Sequence, residues 1–467
     1  MLNLTDKELK KIIARRDPRY DGRFYFGVKT TKIYCRPVCP VKPKPENILI
    51  FRSHSEAEQN GYRPCKRCKP DMFPGQKSLD EKYLIVGRAL DLIETTQVVD
   101  MDGLANSLNI TSRHLRRLFC DYLGASPIDV LNTKRLHLAK KFLLETDKTI
   151  TEIAFSVGFN SLRRFNEAFK KLYQATPSSI RKMNPRVCPS RNILALELLV
   201  RRPYDWQYVL HYLDKHLIFG SEIIHKNQYI RFVSSEEENF GILNASYDFK
   251  KGAIILECSG LSLSDIKRLL PKFKKLFDVE HNPSHLPSRK DKEKGVRVPA
   301  SFENYEVAIS IILSQLISTK QAKKKLEELV LRFGTRASNN ITDKEVIFFP
   351  APEILSKAEI EKIGLTKTKA NAIRELSKQI VDGEIELTCL KNIEITKNKL
   401  LEIKGIGPWT VELIAMRCLG DVNAFPSSDL FIRRALEQGL IDDGKWEGVK
   451  SYLCHLTWRD LGERLSK

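Results

Sequence analysis

Four cysteines near the N-terminus have the spacing of metal ligands. They form the pattern Cys35-x-x-x-Cys39, followed by Cys65-x-x-Cys68. Four thiolates at such spacings can close a tetrahedral zinc shell with Zn–S distances of about 2.3 Å. The alternative is four unrelated buried cysteines, which clustering of this kind disfavours. The sequence therefore predicts one Zn²⁺ held by these four residues.

A second group of residues suited to chemistry lies near the C-terminus. The run LEIKGIGPWT at residues 401–410 places Gly405 and Gly407 in a tight turn that opens an apolar helix. Backbone N–H groups of such a turn suit a DNA phosphate. Asp429 follows after a further stretch, and a lone carboxylate there suits chemistry that builds positive charge. Together these features suggest an enzyme that binds DNA and cleaves a bond in it.

The elements that position these residues belong to a large, basic chain. At 467 residues it exceeds one hydrophobic core, so two to four domains are expected. Its net charge is +20, from 78 Lys plus Arg against 58 Asp plus Glu. This excess favours a polyanionic partner, most simply nucleic acid, over a merely basic soluble protein.

No apolar run approaches the roughly 20 residues of a membrane-spanning helix, and residues 1–16 lack a signal-peptide core. We therefore expect a cytoplasmic protein with reduced thiols and no membrane partner. The six cysteines outside the cluster are then predicted to be ordinary packing residues. They are Cys120, Cys188, Cys258, Cys389, Cys418 and Cys454.

Between predicted linkers at residues 71–77 and 184–190, the sequence is helical and internally repeated. Leu104-Ala105 is echoed by Ile153-Ala154, and each pair is followed by a turn and a basic amphipathic helix. This order is typical of a helix-turn-helix unit, present twice. The predicted recognition helices span residues 112–123 and 161–173.

The second half changes character twice. Residues 192–278 contain strand-like runs such as 229–233 and 253–258, which predict a small α/β unit. A charged, proline-containing loop at 281–294 follows. After Pro299 the pattern is helical to the end. Glycines predicted to end helices in this part are Gly334, Gly364, Gly383 and Gly420.

The residues around the cysteine cluster carry a family resemblance. Residues 27–39 and 61–70 (GVKTTKIYCRPVC and GYRPCKRCKP) closely resemble the zinc domain of the Ada DNA-repair regulators, over about residues 17–72. The resemblance implies that Cys35 accepts a methyl group from a DNA methylphosphotriester. Methylation removes one negative charge facing DNA, so we expect tighter DNA binding afterwards. A purely structural zinc ribbon is the alternative.

Residues 80–183 resemble the AraC-type DNA-binding domain, most clearly in the run IAFSVGFNS at 153–161. The resemblance implies that exposed residues of both recognition helices reach base edges or phosphates. The alternative is a charged, solvated helix face. The candidate residues are Arg113, His114, Arg116, Arg117, Arg163, Arg164 and Asn166.

From about residue 190 onward the chain resembles AlkA-type 3-methyladenine DNA glycosylases of the helix-hairpin-helix superfamily, more strongly after Gly295. The resemblance implies that Asp429 is catalytic and that Leu316 is the wedge filling the vacated stack. Trp409 and Trp458 would stack the flipped base. Without this resemblance, the two tryptophans and Leu316 would be interpreted as core residues, and Asp429 as a helix N-cap.

The same resemblance implies a monovalent cation bound by the carbonyl oxygens of Leu401, Ile403 and Ile406. Trp409 occupies the position of the lysine nucleophile in relatives that also nick the strand, so lyase activity is not expected. Two departures are Leu413, where an aromatic residue is usual, and serines at 427–428, where acidic residues can occur. The PCHRV motif of alkylguanine methyltransferases is missing from the sequence, so reversal of O-alkylguanine damage is not expected.

The sequence thus predicts a multidomain α+β protein. The domains are a zinc methyl-acceptor domain (1–75), an AraC-type DNA-binding domain (78–185), a small α/β domain (190–295) and an all-α helix-hairpin-helix glycosylase domain (296–467). The expected function is methylation-activated transcription of repair genes, combined with excision of alkylated purines. The alternative is a regulator whose second half only binds DNA. Expected partners of this predicted monomer are double-stranded DNA and RNA polymerase, at the nucleoid.

Overall fold

The computed structural model describes residues 4–73, 84–95, 101–183, 193–235, 240–288, 290–338, 346–388 and 393–465. The second predicted linker, Cys188 and Cys389 lie outside the described residues, as does most of the first linker. Asp71, at the start of that first linker, is buried and pairs with Lys140. The chain therefore stays packed beyond the point where the sequence predicted a linker to begin.

The N-terminal part, residues 4–73, is called the cysteine module. Its first helix begins at a capping box, in which Thr5 and Glu8 satisfy each other's backbone N–H groups. Gly27 admits the rings of Phe51 and Tyr62, which a Cβ would meet at 2.5 and 2.6 Å. The sheet order is β3-β1-β2-β4, with β2 and β4 parallel. The elements are α1 (Asp6–Arg15), β1 (Tyr25–Val28), β2 (Ile33–Cys35), β3 (Ile48–Phe51), α2 (His54–Gln59) and β4 (Arg63–Pro64).

Residues 84–183 form the tandem helix domain, which contains the two predicted helix-turn-helix units. Asn109 and Gly158 have φ of 54° and 101° in the two turns, the left-handed conformation that such turns require. The predicted recognition helices are present at nearly the predicted bounds. The helices are α3 (Leu84–Thr95), α4 (Met101–Ser107), α5 (Ser112–Leu123), α6 (Pro127–Glu145), α7 (Ile150–Ser156), α8 (Leu162–Tyr173) and α9 (Pro177–Arg181).

Residues 193–303, called the sheet domain, contain five strands in the order β5-β9-β8-β7-β6. Every pairing is antiparallel, so the predicted α/β unit is an α+β unit. The predicted loop at 281–294 contains a 3₁₀ turn and a short helix. The elements are β5 (Ile193–Leu199), α10 (Trp206–Lys215), β6 (Glu222–His225), β7 (Gln228–Ser234), β8 (Phe240–Asp248), β9 (Ala253–Ser259), α11 (Leu263–Leu276) and α12 (Asp291–Lys294).

The described residues of 304–465 form the hairpin domain; they are helical as predicted except for one pair of short antiparallel strands that the sequence did not indicate. Gly334 and Gly420 end helical segments as expected. A π-helix, Ala415–Leu419, continues α18. The elements are α13 (Asn304–Ser314), α14 (Thr319–Phe333), β10 (Thr335–Ala337), β11 (Val346–Phe348), α15 (Pro352–Leu355), α16 (Lys367–Val381), α17 (Ile393–Glu402), α18 (Pro408–Ile414), α19 (Leu430–Glu437) and α20 (Lys450–Leu465).

The cysteine module contacts both of its neighbours through buried carboxylates. Glu58 accepts hydrogen bonds from Tyr34 and, across the boundary, from Thr133 of α6, both at 2.8 Å. Asp21 accepts from Arg36 at 2.7 Å and from Arg201 of the sheet domain at 3.0 Å. Each carboxylate therefore ties the module to a different part of the chain.

The tandem helix domain and the sheet domain share one hydrophobic core. Phe142 of α6 and Phe169 of α8 belong to the same buried cluster as Leu196 of β5 and Phe273 of α11. In the described part of the chain, no helix has the length and apolar character needed to cross a membrane.

Candidate functional sites

The four predicted cysteine ligands meet in the folded module. Their sulfur atoms lie within 4.8 Å of one another. A tetrahedron with Zn–S distances of about 2.3 Å has edges of about 3.8 Å, so this spacing suits zinc. Cys35 ends β2, Cys39 follows after a short loop, and Cys65 and Cys68 follow β4. The four cysteines form a zinc-binding site.

Hydrogen bonds around the cluster support thiolate ligands. The backbone N–H of Arg36 donates to Sγ of Cys68 at 3.5 Å. The guanidinium of Arg36 donates to Asp21 and lies 3.5 Å from the centre of the Phe73 ring. Cys35 itself is 1% exposed. The loop that carries the candidate methyl acceptor is therefore covered and fixed on both sides.

The described cysteines outside the cluster divide into two groups. Cys258, Cys418 and Cys454 are buried, as predicted for packing residues. Cys120 is exposed on α5, so the prediction that it is a packing residue is wrong. Position 120 lies on the solvent-facing side of α5, where the amphipathic pattern would also allow a polar residue. The pattern alone therefore did not show that Cys120 is exposed.

The predicted DNA-contacting residues lie on the outer faces of α5 and α8. Leu115, Phe119, Phe165 and Phe169 fill the inner faces and are fully buried. All the predicted contact residues are exposed except His114, which is half-buried. Two of them already have partners on their own helix: Arg163 donates to Glu167 at 2.9 Å, and Arg117 lies 3.5 Å from His114.

The glycine hairpin is built as its sequence indicates. Gly405 has φ of 100°, and Cγ2 of Thr368 lies 3.0 Å from the position a Cβ would occupy, so glycine is required on two counts. Gly407 is the N-cap of α18. The side-chain amide of Gln315 donates to the carbonyl of Gly405 at 3.0 Å and to Thr410 at 2.8 Å. Gln315 therefore fastens the hairpin to the end of α13, and sequence reasoning gave it no role.

Asp429 lies where several N–H groups converge. Indole Nε1 of Trp458 donates to Oδ1 at 3.0 Å, and indole Nε1 of Trp409 donates to Oδ2 at 3.4 Å. The backbone N–H groups of Phe431 and Ile432 also donate to Oδ1, which makes Asp429 the N-cap of α19. The structure thus brings three predicted site residues together and also realises the alternative interpretation of Asp429 as a cap.

Leu316 projects into solvent directly after α13. Its side chain is 102% exposed, so the alternative interpretation as a core leucine is wrong. Its φ of 57° is in the left-handed region, which costs a leucine roughly 1–2 kcal/mol. A fully exposed apolar side chain on a strained backbone does not contribute to packing within the isolated protein.

Sequence reasoning missed the aromatic residues that the sheet domain contributes. The Tyr212 ring lies 6.4 Å from the Trp458 ring at an interplanar angle of 17°, a stacked arrangement. The guanidinium carbon of buried Arg417 lies 5.6 Å from the centre of the Tyr212 ring. Tyr208 and Tyr212 are one helical turn apart on α10, and this paired-aromatic spacing was the available signal.

His455 lies beneath this aromatic group. Its ring centre is 4.5 Å from that of Tyr212 and 5.2 Å from that of Trp458. Burial, with a further contribution from the charge of Arg417, lowers the pKa of His455 to about 3. Burial likewise raises the pKa of Tyr212. Both groups are therefore neutral at physiological pH and form an uncharged floor under Trp458.

Four family models match successive parts of the chain. The first two are described as the metal binding domain of Ada, at residues 8–71, and a helix-turn-helix domain, at residues 104–183. The third is the AlkA N-terminal domain, at residues 195–303. The fourth is the HhH-GPD superfamily of base excision DNA repair proteins, at residues 309–450.

Curated relatives span one half of the chain or both. A probable bifunctional transcriptional activator/DNA repair enzyme AlkA of Mycobacterium tuberculosis is 29% identical over 480 residues, covering 97% of this chain and 95% of that protein. The bifunctional transcriptional activator/DNA repair enzyme AdaA of Bacillus subtilis is 33% identical over 183 residues, 39% of this chain and 84% of that protein. DNA-3-methyladenine glycosylase 2 of Escherichia coli is 25% identical over 239 residues, 50% of this chain and 83% of that protein.

Proposed function

We propose that Cys35 accepts methyl groups from DNA and that Asp429 supports excision of alkylated purines. The basis is that this chain belongs to the family of bifunctional transcriptional activators and DNA repair enzymes that join an Ada-type half to an AlkA-type half. The convergence of two indole N–H groups on Asp429, together with the full exposure of Leu316, carries the second part of the proposal.

In the methyl transfer, the thiolate of Cys35 attacks the methyl carbon of a DNA methylphosphotriester. An S–C bond forms while the C–O bond breaks, and the phosphodiester leaves with the electron pair as an anion. The four cysteines would hold Zn²⁺, which when bound would keep the attacking sulfur deprotonated at neutral pH. Cys35 ends as a neutral thioether, so the reaction occurs once per molecule and removes one negative charge from the module.

Loss of that charge is the proposed signal for transcription. The methylated module would bind DNA more tightly, together with α5 and α8 in successive major-groove segments. The exposed cations of those helices would then contact phosphates and base edges. RNA polymerase is the expected partner in activation, and the protein would act as a monomer on cytoplasmic DNA at the nucleoid.

In base excision, Leu316 would enter the duplex and occupy the space of the flipped nucleotide. Flipping costs a few kcal/mol, and an apolar side chain filling the stack offsets part of that cost. Trp409 and Trp458 would stack on the extruded base. An alkylated purine is cationic and electron-poor, so it interacts favourably with indole faces.

Asp429 would stabilise the sugar as the glycosidic bond breaks. Cleavage produces an oxocarbenium-like sugar, and an ionised carboxylate beside it offsets the developing positive charge. The alkylated base is already a good leaving group and needs little protonation. The N–H groups of Trp458, Phe431 and Ile432 orient the carboxylate for this role.

We infer a monofunctional glycosylase that leaves an abasic site. Trp409 follows the hairpin glycines, where a lyase would need a lysine nucleophile. The substrate class would be 3-methyladenine and related alkylpurines. The hairpin would bind a phosphate of the same strand, with a monovalent cation held by the carbonyls of Leu401, Ile403 and Ile406.

Release of abasic sites from a methylated duplex tests this assignment. We expect Asp429→Asn to lower the single-turnover rate by roughly 10²–10³, because one electrostatic stabiliser of the transition state is lost. Asn retains the ability to cap α19, so the fold should be preserved. If the wild type released no base, or both proteins released it equally, the second half would be a DNA-binding module only.

A further inference from the structure

We propose that the cleft between the cysteine module and the sheet domain binds the DNA phosphodiesters that flank the methylated phosphotriester, with Arg202 and Lys251 as the contacting cations. The inference rests on the proposed methyl transfer to Cys35. It assigns residues of the glycosylase half to the first reaction of the chain.

The cleft has one wall from each part of the chain. Its volume is about 310 Å³, enough for a phosphate group with part of its sugar. Arg36 and Val38, from the loop between Cys35 and Cys39, line the module side. Arg201, Arg202 and Lys251 line the opposite side. A ligand in the cleft would therefore lie beside the methyl-acceptor loop.

The substrate's own chemistry requires cations at this place. A phosphotriester carries no charge, because the methyl group has neutralised it. The electrostatic attraction that dominates protein–DNA affinity must therefore come from the neighbouring, still ionised phosphates. Cations beside the acceptor loop would supply this attraction.

The four cations of the cleft are not equally available. Arg36 and Arg201 both donate to Asp21, and this buried triad fixes the two walls to each other. Arg202 is exposed, and its Nη2 donates to the carbonyls of Phe249 at 2.6 Å and Lys250 at 2.8 Å. Carbonyl groups orient the guanidinium but leave its charge uncompensated.

Lys251 is the second available cation. It pairs with Glu197, and their side chains are 53% and 35% exposed. Ion pairs with this much exposure contribute only about 0–1 kcal/mol, so a phosphate can replace the carboxylate at little cost. Arg202 and Lys251 together thus place exposed positive charge on the wall of the cleft, where a phosphate can reach it.

The neighbouring lysine provides a matched control. Lys250 is also exposed and lies one residue from Lys251, yet its side chain does not line the cleft. Its backbone carbonyl, which accepts from Arg202, is kept in any substitution. Lys250→Gln therefore removes the same charge from the same turn without changing the cleft.

The test is the second-order rate of methyl transfer to Cys35 from a duplex carrying one methylphosphotriester, measured over a range of salt concentrations with the full zinc-loaded chain. We expect the double variant Arg202→Gln/Lys251→Gln to react roughly tenfold more slowly at low salt. The slope of log rate against log salt should fall by about 1 for each lost contact. Lys250→Gln should match the wild type, and Arg202→Lys should retain most of the rate.

Zinc content and base release from alkylated duplex serve as further measurements, and both should be unchanged in the double variant. A wild type that takes up no methyl group would overturn the proposed function itself. A wild type that reacts normally, with the double variant equal to Lys250→Gln in rate and slope, would overturn only the cleft assignment. If the double variant loses zinc, the rate and salt slope of the single variant Lys251→Gln test the cleft assignment instead. Lys251 is exposed, so this single substitution should preserve the fold.

Discussion

The two candidate reaction centres differ most in how open they are. Cys35 is 1% exposed and lies in a module that contacts two other parts of the chain, whereas Asp429, Trp409 and Trp458 are half-buried. A methyl carbon must touch the sulfur to react, so Cys35 has to become accessible while the two walls of the cleft stay joined through Asp21. The residues of the base-excision site are already partly exposed. Under the proposed function, the chain would combine a closed site that reacts once with a more open site that turns over.

The closed site depends on a buried ion triad, and removing its carboxylate is expected to have the largest effect on stability. Asp21→Asn leaves Arg36 and Arg201 buried without a counter-charge, which should lower the free energy of unfolding by about 3–5 kcal/mol. Asp17→Asn is the matched control, because its partner Arg19 is 66% exposed and their pair should contribute less than about 1 kcal/mol. Equal urea midpoints for the two variants would show that the triad does not hold the module closed.

The open site depends on hydrogen bonds that orient Asp429. Trp458→Phe keeps an aromatic ring but removes the 3.0 Å donor, and hydrogen bonds to charged groups contribute about 1.5–3 kcal/mol. We expect single-turnover base release to fall by roughly 10–100-fold. Trp409→Phe should have a smaller effect, since its donor lies at 3.4 Å. A larger loss of base release in Trp409→Phe than in Trp458→Phe would mean that stacking, and not orientation of the carboxylate, is the main role of Trp458.

Acid should weaken the glycosylase half through His455. Burial holds its pKa at about 3, below the usual value of 6.5, so the unfolded chain binds a proton that the folded chain does not. The free energy of unfolding therefore falls as pH drops from 6.5 towards 3, by about 2 kcal/mol at pH 5 from this residue. His455→Gln should remove this part of the pH dependence. His225→Gln, at an exposed histidine, should leave it unchanged; identical pH profiles for both variants would contradict the expectation.

The smallest expected effect concerns the wedge. Replacing Leu316 by either Ala or Gly should lower base release from duplex DNA roughly tenfold, with little loss from single-stranded substrate. Because φ is 57° at this position, Leu316→Gly should be more stable than Leu316→Ala by about 1 kcal/mol. A duplex-specific loss in neither variant would argue against a wedge, whatever their stabilities.

The parts of the molecule that sequence could predict are those whose signals are local. Four cysteines at short spacings predicted the metal site, and the glycine hairpin predicted the strained turn at Gly405. Turn residues Asn109 and Gly158 likewise predicted the two helix-turn-helix units. In each case the required residues lie close together in the chain, so spacing rules apply.

The parts that could not be predicted depend on contacts between distant segments. Tyr212 reaches Trp458 from another domain, and Asp21 meets Arg201 across a domain boundary, and no spacing rule relates such residues. Periodicity alone predicted that Leu316 is a core residue, because a periodic pattern does not indicate a left-handed backbone conformation. The strands β10 and β11 were missed since three residues are too few to show alternation.

The central claim is that one chain carries two separate chemistries, at Cys35 and at Asp429. The most direct test measures methyl uptake and abasic-site formation in the same preparation, with wild type, Cys35→Ser and Asp429→Asn. We predict that Cys35→Ser takes up no methyl group but releases base at the wild-type rate, and that Asp429→Asn shows the opposite pattern. Loss of both reactions in either folded, zinc-loaded variant, or loss of neither, would contradict the claim.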